Sequence, residues 1–250
     1  MRPLCPPVLF LIALSCVISG CGGGGEANRW PVTITGLAID GYLQNARACA
    51  DLNLNFRCEP SEPSSTTDIN GRFSIPVAVR EPQDLQGLVV LIETSGETKD
   101  RDDAGLTFRE AGRDPFVLAT VVRAPEAGDL VASPLTTMVT VNAVPEDTSA
   151  TRLQALPIER SSQLIRESLG LESDVDVLKL DVTGQADLQV TARFVSYMLG
   201  AIQRDTGPLD PTRMRSTVTL VLNYTLGRLN NGALPAEVVS ALSGPAAGRT

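Results

Sequence analysis

The stretch Cys49-Ala50-Asp51-Leu52-Asn53-Leu54-Asn55-Phe56-Arg57-Cys58-Glu59-Pro60-Ser61-Glu62 sets the reading of the whole chain. Counted from Asp51 as position 1, oxygen-bearing side chains fall at positions 1 (Asp51), 3 (Asn53), 5 (Asn55), 9 (Glu59) and 12 (Glu62). Alternate residues of such a loop turn inward, and a terminal Glu closes the shell with two oxygens, so the spacing is that of a calcium loop. The expected ligand set is Asp51, Asn53, Asn55, the backbone carbonyl of Arg57, Glu59 and Glu62. Two features work against it. Phe56 stands at position 6, where a sharp turn favours Gly, and a bulky residue with positive φ is uncommon. Arg57 brings a cation to position 7. A cysteine flanks each side of the first half of the loop, as a staple would.

Outward from the loop, the text on both sides reads as strands. Val32 to Ile39 is rich in β-branched residues and stops at the turn Asp40-Gly41. Ala46 to Leu52 delivers Asp51, and Asn70-Gly71 is a hairpin dipeptide leading into a strand that runs to Val79. Two further apolar runs, Gly87 to Thr94 and Phe116 to Val122, enclose a charged segment, Glu97 to Asp103. That segment, Lys99-Asp100-Arg101-Asp102-Asp103 included, lacks ligand alternation and reads as a solvated loop. Short strands punctuated by Gly, Pro and Asp predict an antiparallel β-sandwich over residues 31–123.

The run Gly36-Leu37-Ala38-Ile39-Asp40-Gly41-Tyr42-Leu43-Gln44-Asn45-Ala46, the stapled acidic loop, and Thr67-Asp68-Ile69-Asn70-Gly71-Arg72-Phe73 together resemble the carboxypeptidase regulatory-like (transthyretin-like) β-sandwich of bacterial surface proteins. The loop is similar to the D-x-N-x-N-G-x-x-D-x-G-E calcium loops of B-type repeats in cell-wall adhesins. The resemblance covers roughly a third of the chain, and it implies a displayed β-sandwich and a structural Ca2+ ion. Asp68, across the loop, is a candidate sixth oxygen.

After Val122 the period changes. Residues 124–132 read as a linker, and 133–244 as an all-helical bundle. Ser133-Pro134 is an N-cap followed by Pro at the first helical position, opening a helix to about Asn142. Pro157 opens a second, which Gly170 stops. Leu171 to Asp181 is ambiguous between strand and loop. Leu188, Ala192, Val195, Met198, Leu199 and Ile202 share one helical face, as do Met214, Val218, Val221, Leu222 and Leu229. Pro235 starts a short last helix, and 245–250 is a tail. Strands first and helices after predict an α+β chain of two units. Ser133-Pro134-Leu135-Thr136-Thr137 and Leu169-Gly170-Leu171 resemble a helical region that accompanies such sandwiches in bacterial lipoproteins. That resemblance implies no activity.

The first 20 residues read as a signal peptide. Arg2 gives a positive start, and Val8 to Ile18 is too short to span a bilayer as a mature helix. Ile18-Ser19-Gly20-Cys21 resembles the lipobox of bacterial lipoproteins, which implies an acylated (palmitate-type) Cys21 as the mature N-terminus. Residues 21–30 then form a glycine-rich tether through Gly22–Gly25. Gly rather than Asp at position 22 implies the outer membrane if the host is Gram-negative. Cys5 and Cys16 leave with the leader and Cys21 takes lipid, so Cys49 and Cys58 are left as an even pair in a disulfide-permissive compartment.

Composition narrows function further. The 21 basic residues less Arg2 leave 20 against 29 acids, a net of −9, which disfavours nucleic acid. The chain has no histidine, which removes Ser-His-Asp catalysis and the common zinc sites. Lys99 and Lys179 are its two lysines, and neither sits in an S-x-x-K pattern. No glycine-rich phosphate loop occurs. The expected protein is therefore not an enzyme. It is an envelope lipoprotein serving as a structural or adhesive surface module, with the bilayer and an envelope or cell-surface protein as partners. The alternative is an accessory or carrier that binds an apolar ligand or a protein through its helical domain.

Overall fold

The computed structural model describes residues 30–124, 129–146, 149–207 and 210–219. Nine strands lie among the described residues up to position 132: β1 (Trp30–Ala38), β2 (Leu43–Gln44), β3 (Arg47–Asp51), β4 (Ser64–Thr66), β5 (Arg72–Val79), β6 (Val89–Glu93), β7 (Lys99–Asp100), β8 (Val117–Val121) and β9 (Leu130–Ala132). They form a three-stranded sheet in the order β5-β1-β9, a four-stranded sheet β4-β3-β6-β8, and a two-stranded ribbon β2-β7. The helices are α1 (Phe108–Ala111), α2 (Pro134–Asn142), α3 (Ala155–Ser168) and α4 (Ala186–Thr206), with a further helical stretch at 211–219. The molecule is mixed α and β, with its longer helices after its strands.

The sequence pattern explains which faces are covered. In β5, Phe73, Ile75, Val77 and Val79 point inward while Arg72, Ser74, Pro76 and Ala78 face solvent, the period of a half-buried strand. It pairs antiparallel with β1 from Trp30 opposite Val79 to Leu37 opposite Arg72. All five residues of β8 and four of the five in β6 are buried, because these strands are covered on both faces. β3 and β4 lie against β5 on one side, and α2 packs on β8 on the other.

α2 holds this helical layer to the sheet. Its sequence, Pro-Leu-Thr-Thr-Met-Val-Thr-Val-Asn, carries five β-branched residues and is a poor helix former in isolation. It is set by its start: Ser133 accepts from the Thr136 N–H, Thr136 accepts from the Ser133 N–H, and Pro134 is pre-organised at the first position. The Thr136 hydroxyl then donates to the Ala119 carbonyl and the Thr137 hydroxyl accepts from the Ala119 N–H, both at 2.8 Å. Eight of its nine residues are buried, with α3 and α4 packed against it. The apolar interior is one connected cluster that runs from Ile34 in β1 to Val218.

Three segments differ from the sequence reading. Residues 124–132 read as a linker, but they end in β9, which pairs parallel with Gly36–Ala38 of β1. Its apolar Leu-Val-Ala triplet completes a sheet edge, and Gly36 permits the approach: a Cβ there would lie 2.5 Å from the Leu130 carbonyl oxygen. The helix expected from Pro157 begins two residues earlier, at Ala155, since Pro is tolerated throughout a first turn. The ambiguous segment 171–181 is neither strand nor plain loop, and carries a 3-10 turn at Val177–Lys179. The helix expected around 214–229 is helical through 219, and its remainder lies outside the described residues, as does the helix expected at Pro235.

Candidate functional site

β3 ends at Asp51, which pairs with Val89 of β6 and whose side chain is fully buried. The chain then turns back on itself. The Asp51 carboxylate accepts the Phe56 N–H at 2.9 Å, the Asn55 N–H at 3.2 Å and the Asn53 N–H at 3.3 Å. Glu62 accepts from Leu52 N–H at 2.7 Å and from Glu59 N–H at 3.0 Å. Positions 1 and 12 of the loop are thus both turned inward, each binding backbone donors from the segment between them. The side-chain amides of Asn53 and Asn55 donate to the Glu59 carboxylate at 3.2 and 2.9 Å. Their own oxygens accept from Asn55 N–H and Arg57 N–H. Asp68 is occupied elsewhere, accepting from Asn70 and Arg72 in its own turn.

Phe56 answers the question posed by position 6. It adopts φ +58°, with Leu54 at +56°, so the loop keeps its sharp path with non-glycine residues in the left-handed region. That conformation costs roughly 1–2 kcal/mol per residue. It is offset because both side chains reach the core, Phe56 being 1% exposed, and burying such a side chain is worth about 1.5–3 kcal/mol.

A disulfide joins Cys49 to Cys58 across this loop, with Cα atoms 5.6 Å apart. Two residues outside the ligand spacing hold its far end. The Arg47 guanidinium donates to the carbonyls of Cys58 and Glu59, both at 2.8 Å, and Glu93 accepts the Cys58 N–H at 2.8 Å. Both face the loop from the ends of the paired strands β3 and β6, a juxtaposition that no local spacing encodes.

The donor set is of hard oxygens, the chemistry calcium takes. Burial, and then the nearby Glu62 charge, push the Asp51 carboxyl up to about 6 against three backbone N–H bonds that pull it down. A cation beside this pair would relieve both effects. Glu59 is turned to the two asparagine amides, and among the described residues no three His, Cys, Asp or Glu side chains gather as a metal-holding group. Cys21, Cys5 and Cys16 lie outside the described residues.

A second polar constellation went unread in the sequence. The charged segment Glu97 to Asp103 is not a solvated loop throughout, because it sends Asp100 fully inside. There Arg113 bonds Asp40, Asp100 (2.5 Å) and Asp103 (2.9 Å) and stacks on Phe108, its guanidinium carbon 4.4 Å from the ring centroid. Ser196 of α4 donates to Asp40 at 2.8 Å. Burial and then the Asp40 charge push Asp100 up to about 6, against the opposing pull of Arg113. Burial works to lower the Arg113 pKa, but the three carboxylates overcome it and raise it. Asp100 stands opposite the buried Leu43 in the β2-β7 ribbon, which puts its side chain on the inward face.

No protein-family model, curated protein or solved structure matches this chain.

Proposed function

We propose that this chain is an exported, lipid-anchored envelope protein that displays a β-sandwich carrying a stapled acidic loop, with a helical bundle behind it. On this reading it is a structural or adhesive surface module without catalytic activity. The observation that carries it is the Cys49–Cys58 disulfide closing the loop, because such bonds persist in oxidising, extracytoplasmic compartments. The Ile18-Ser19-Gly20-Cys21 pattern supports acylation of Cys21, and the four glycines after it support a tether. The likeness to carboxypeptidase regulatory-like sandwiches supports display as the role.

Calcium is part of the proposal as a structural ion. Asp51 and Glu62 would supply carboxylate oxygens, Asn53 and Asn55 carboxamide oxygens, Arg57 its carbonyl, and Glu59 the remaining position. An affinity of about 10⁻⁴–10⁻³ M fits an extracellular module.

The anchor is tested by palmitate labelling and membrane fractionation of full-length protein against Cys21→Ser. Label and membrane retention in the wild type, both lost in the variant, support it; an unlabelled wild type overturns it. The ion is tested by melting the protein in 5 mM calcium and in chelator. A rise that disappears in Glu62→Gln supports it, and identical curves for the wild type reject it.

A further inference from the structure

A cleft of about 330 Å³ opens beside the β2-β7 ribbon, away from the stapled loop, walled by Tyr42, Gln44, Ile69, Asn70, Lys99 and Arg101, with Asp100 and Gly105 completing its lining. Its chemistry follows from the ribbon. Lys99 of β7 and Arg101, which opens the 3-10 turn after it, both line the cleft, while Asp100 between them is buried against Arg113. The acids nearest the cleft are already engaged. Asp100 and Asp103 are paired with Arg113, and Asp102 with Arg193 at 2.7 Å. Among the described residues neither Lys99 nor Arg101 makes an ion pair, and Arg101 rests over the Tyr42 ring at 5.6 Å.

The walls are held before any ligand arrives. The Tyr42 hydroxyl donates to Asp181 at 2.9 Å, and Arg101 N–H donates to the Tyr42 carbonyl. The opposite wall is the turn at Asp68–Gly71, closed by two N–H bonds to the Asp68 carboxylate. That turn holds out Ile69, which is 68% exposed although it is a large aliphatic side chain. Gln44 and Asn70 supply carboxamides, which donate to and accept from hydroxyls.

We infer that this cleft binds a monoanionic, polyhydroxylated carboxylate of the size of one sugar ring, of the uronic acid class. The carboxylate lies between Lys99 and Arg101, the hydroxyls meet Gln44 and Asn70, and the apolar face of the ring rests on Ile69. A doubly charged phosphate suits the site less. Phosphate would meet the two cations, but it has no ring hydroxyls for Gln44 and Asn70 and no apolar face for Ile69. The inference depends on neither the lipid anchor nor calcium.

Isothermal titration of full-length protein in detergent with D-galacturonate, D-galactose and inorganic phosphate tests it. Galacturonate is expected to bind, and to weaken as salt is raised, with galactose and phosphate each at least tenfold weaker. Lys99→Gln with Arg101→Gln is expected to lose about tenfold per charge removed. Ile69→Ser, a change at an exposed side chain, is expected to lose severalfold with an unchanged melting temperature. Absence of heat with galacturonate overturns the assignment, as does equal binding of galactose or phosphate. So does galacturonate affinity that is unchanged in Ile69→Ser and in the double variant.

Discussion

Residue scale is where this protein departs most from expectation, and Phe56 is the clearest case. Its left-handed backbone is unfavourable while its buried ring is favourable, and the magnitudes decide between them. Truncating a buried Phe costs about 3–5 kcal/mol, more than the roughly 1–2 kcal/mol that the strain could return. Both Phe56→Ala and Phe56→Gly are therefore destabilising. Glycine should nonetheless be the better tolerated by about 1 kcal/mol, the reverse of its usual rank, because φ +58° suits it. Urea midpoints of the two variants check the order. Gly41 is a second such residue: a Cβ there would sit 2.0 Å from a carboxylate oxygen of Asp100. Gly41→Ala should cost about 2–3 kcal/mol through overpacking, read from the same denaturation curves. Asp100 itself gives a pH dependence. Its folded pKa of about 6 lies above the ordinary aspartate value of 3.8, so between these values the folded state holds a proton that the unfolded chain has released. Its contribution is complete below about pH 4 and is lost as pH rises through 6, on the order of 2–3 kcal/mol. Asp51 adds a parallel fall, so Asp100→Asn should reduce the slope of stability against pH by about half without abolishing it.

At the scale of elements, the stapled loop and α2 were legible for physical reasons that the sequence carries locally. The alternation of β5 shows itself over eight residues, and the Ser133-Pro134 start of α2 is a chemical signal within two. The cysteine pair spans nine positions and needs only an even count and an oxidising setting. Removing it as Cys49→Ala with Cys58→Ala should cost roughly 2.5–3 kcal/mol by loop entropy, seen as a lower urea midpoint that reductant does not lower further. Other elements had no local signal. β9 is three residues with no alternation and no flanking hairpin, and its strand identity comes from the edge of β1 that it meets. The ambiguity of 171–181 was real in the same sense, since a 3-10 turn has no apolar period of its own.

Across the whole molecule, what sequence could not give is the set of contacts between distant parts of the chain. Arg113 reaches Asp40 over 73 positions, and Ser196 reaches the same carboxylate over 156. Tyr42 bonds Asp181, and Arg193 bonds Asp102. The last three tie α4 or its approach to the strand-bearing half. With a shared apolar interior besides, the described chain should unfold in one cooperative step. Far-ultraviolet dichroism and the fluorescence of Trp30 should give coincident denaturation curves; two separated transitions would refute this. The short pairing of Leu130–Ala132 with Gly36–Ala38 carries a practical lesson for dissecting the protein. A fragment cut after position 123 would look complete on paper, yet it would leave three residues of bare hydrogen-bonding edge on its first strand. Such an edge invites neighbouring copies to dock, so that piece, which also lacks the α2 cover of β8, should clump in solution, while one that keeps Leu130–Ala132 and the helices behind it should stay dispersed.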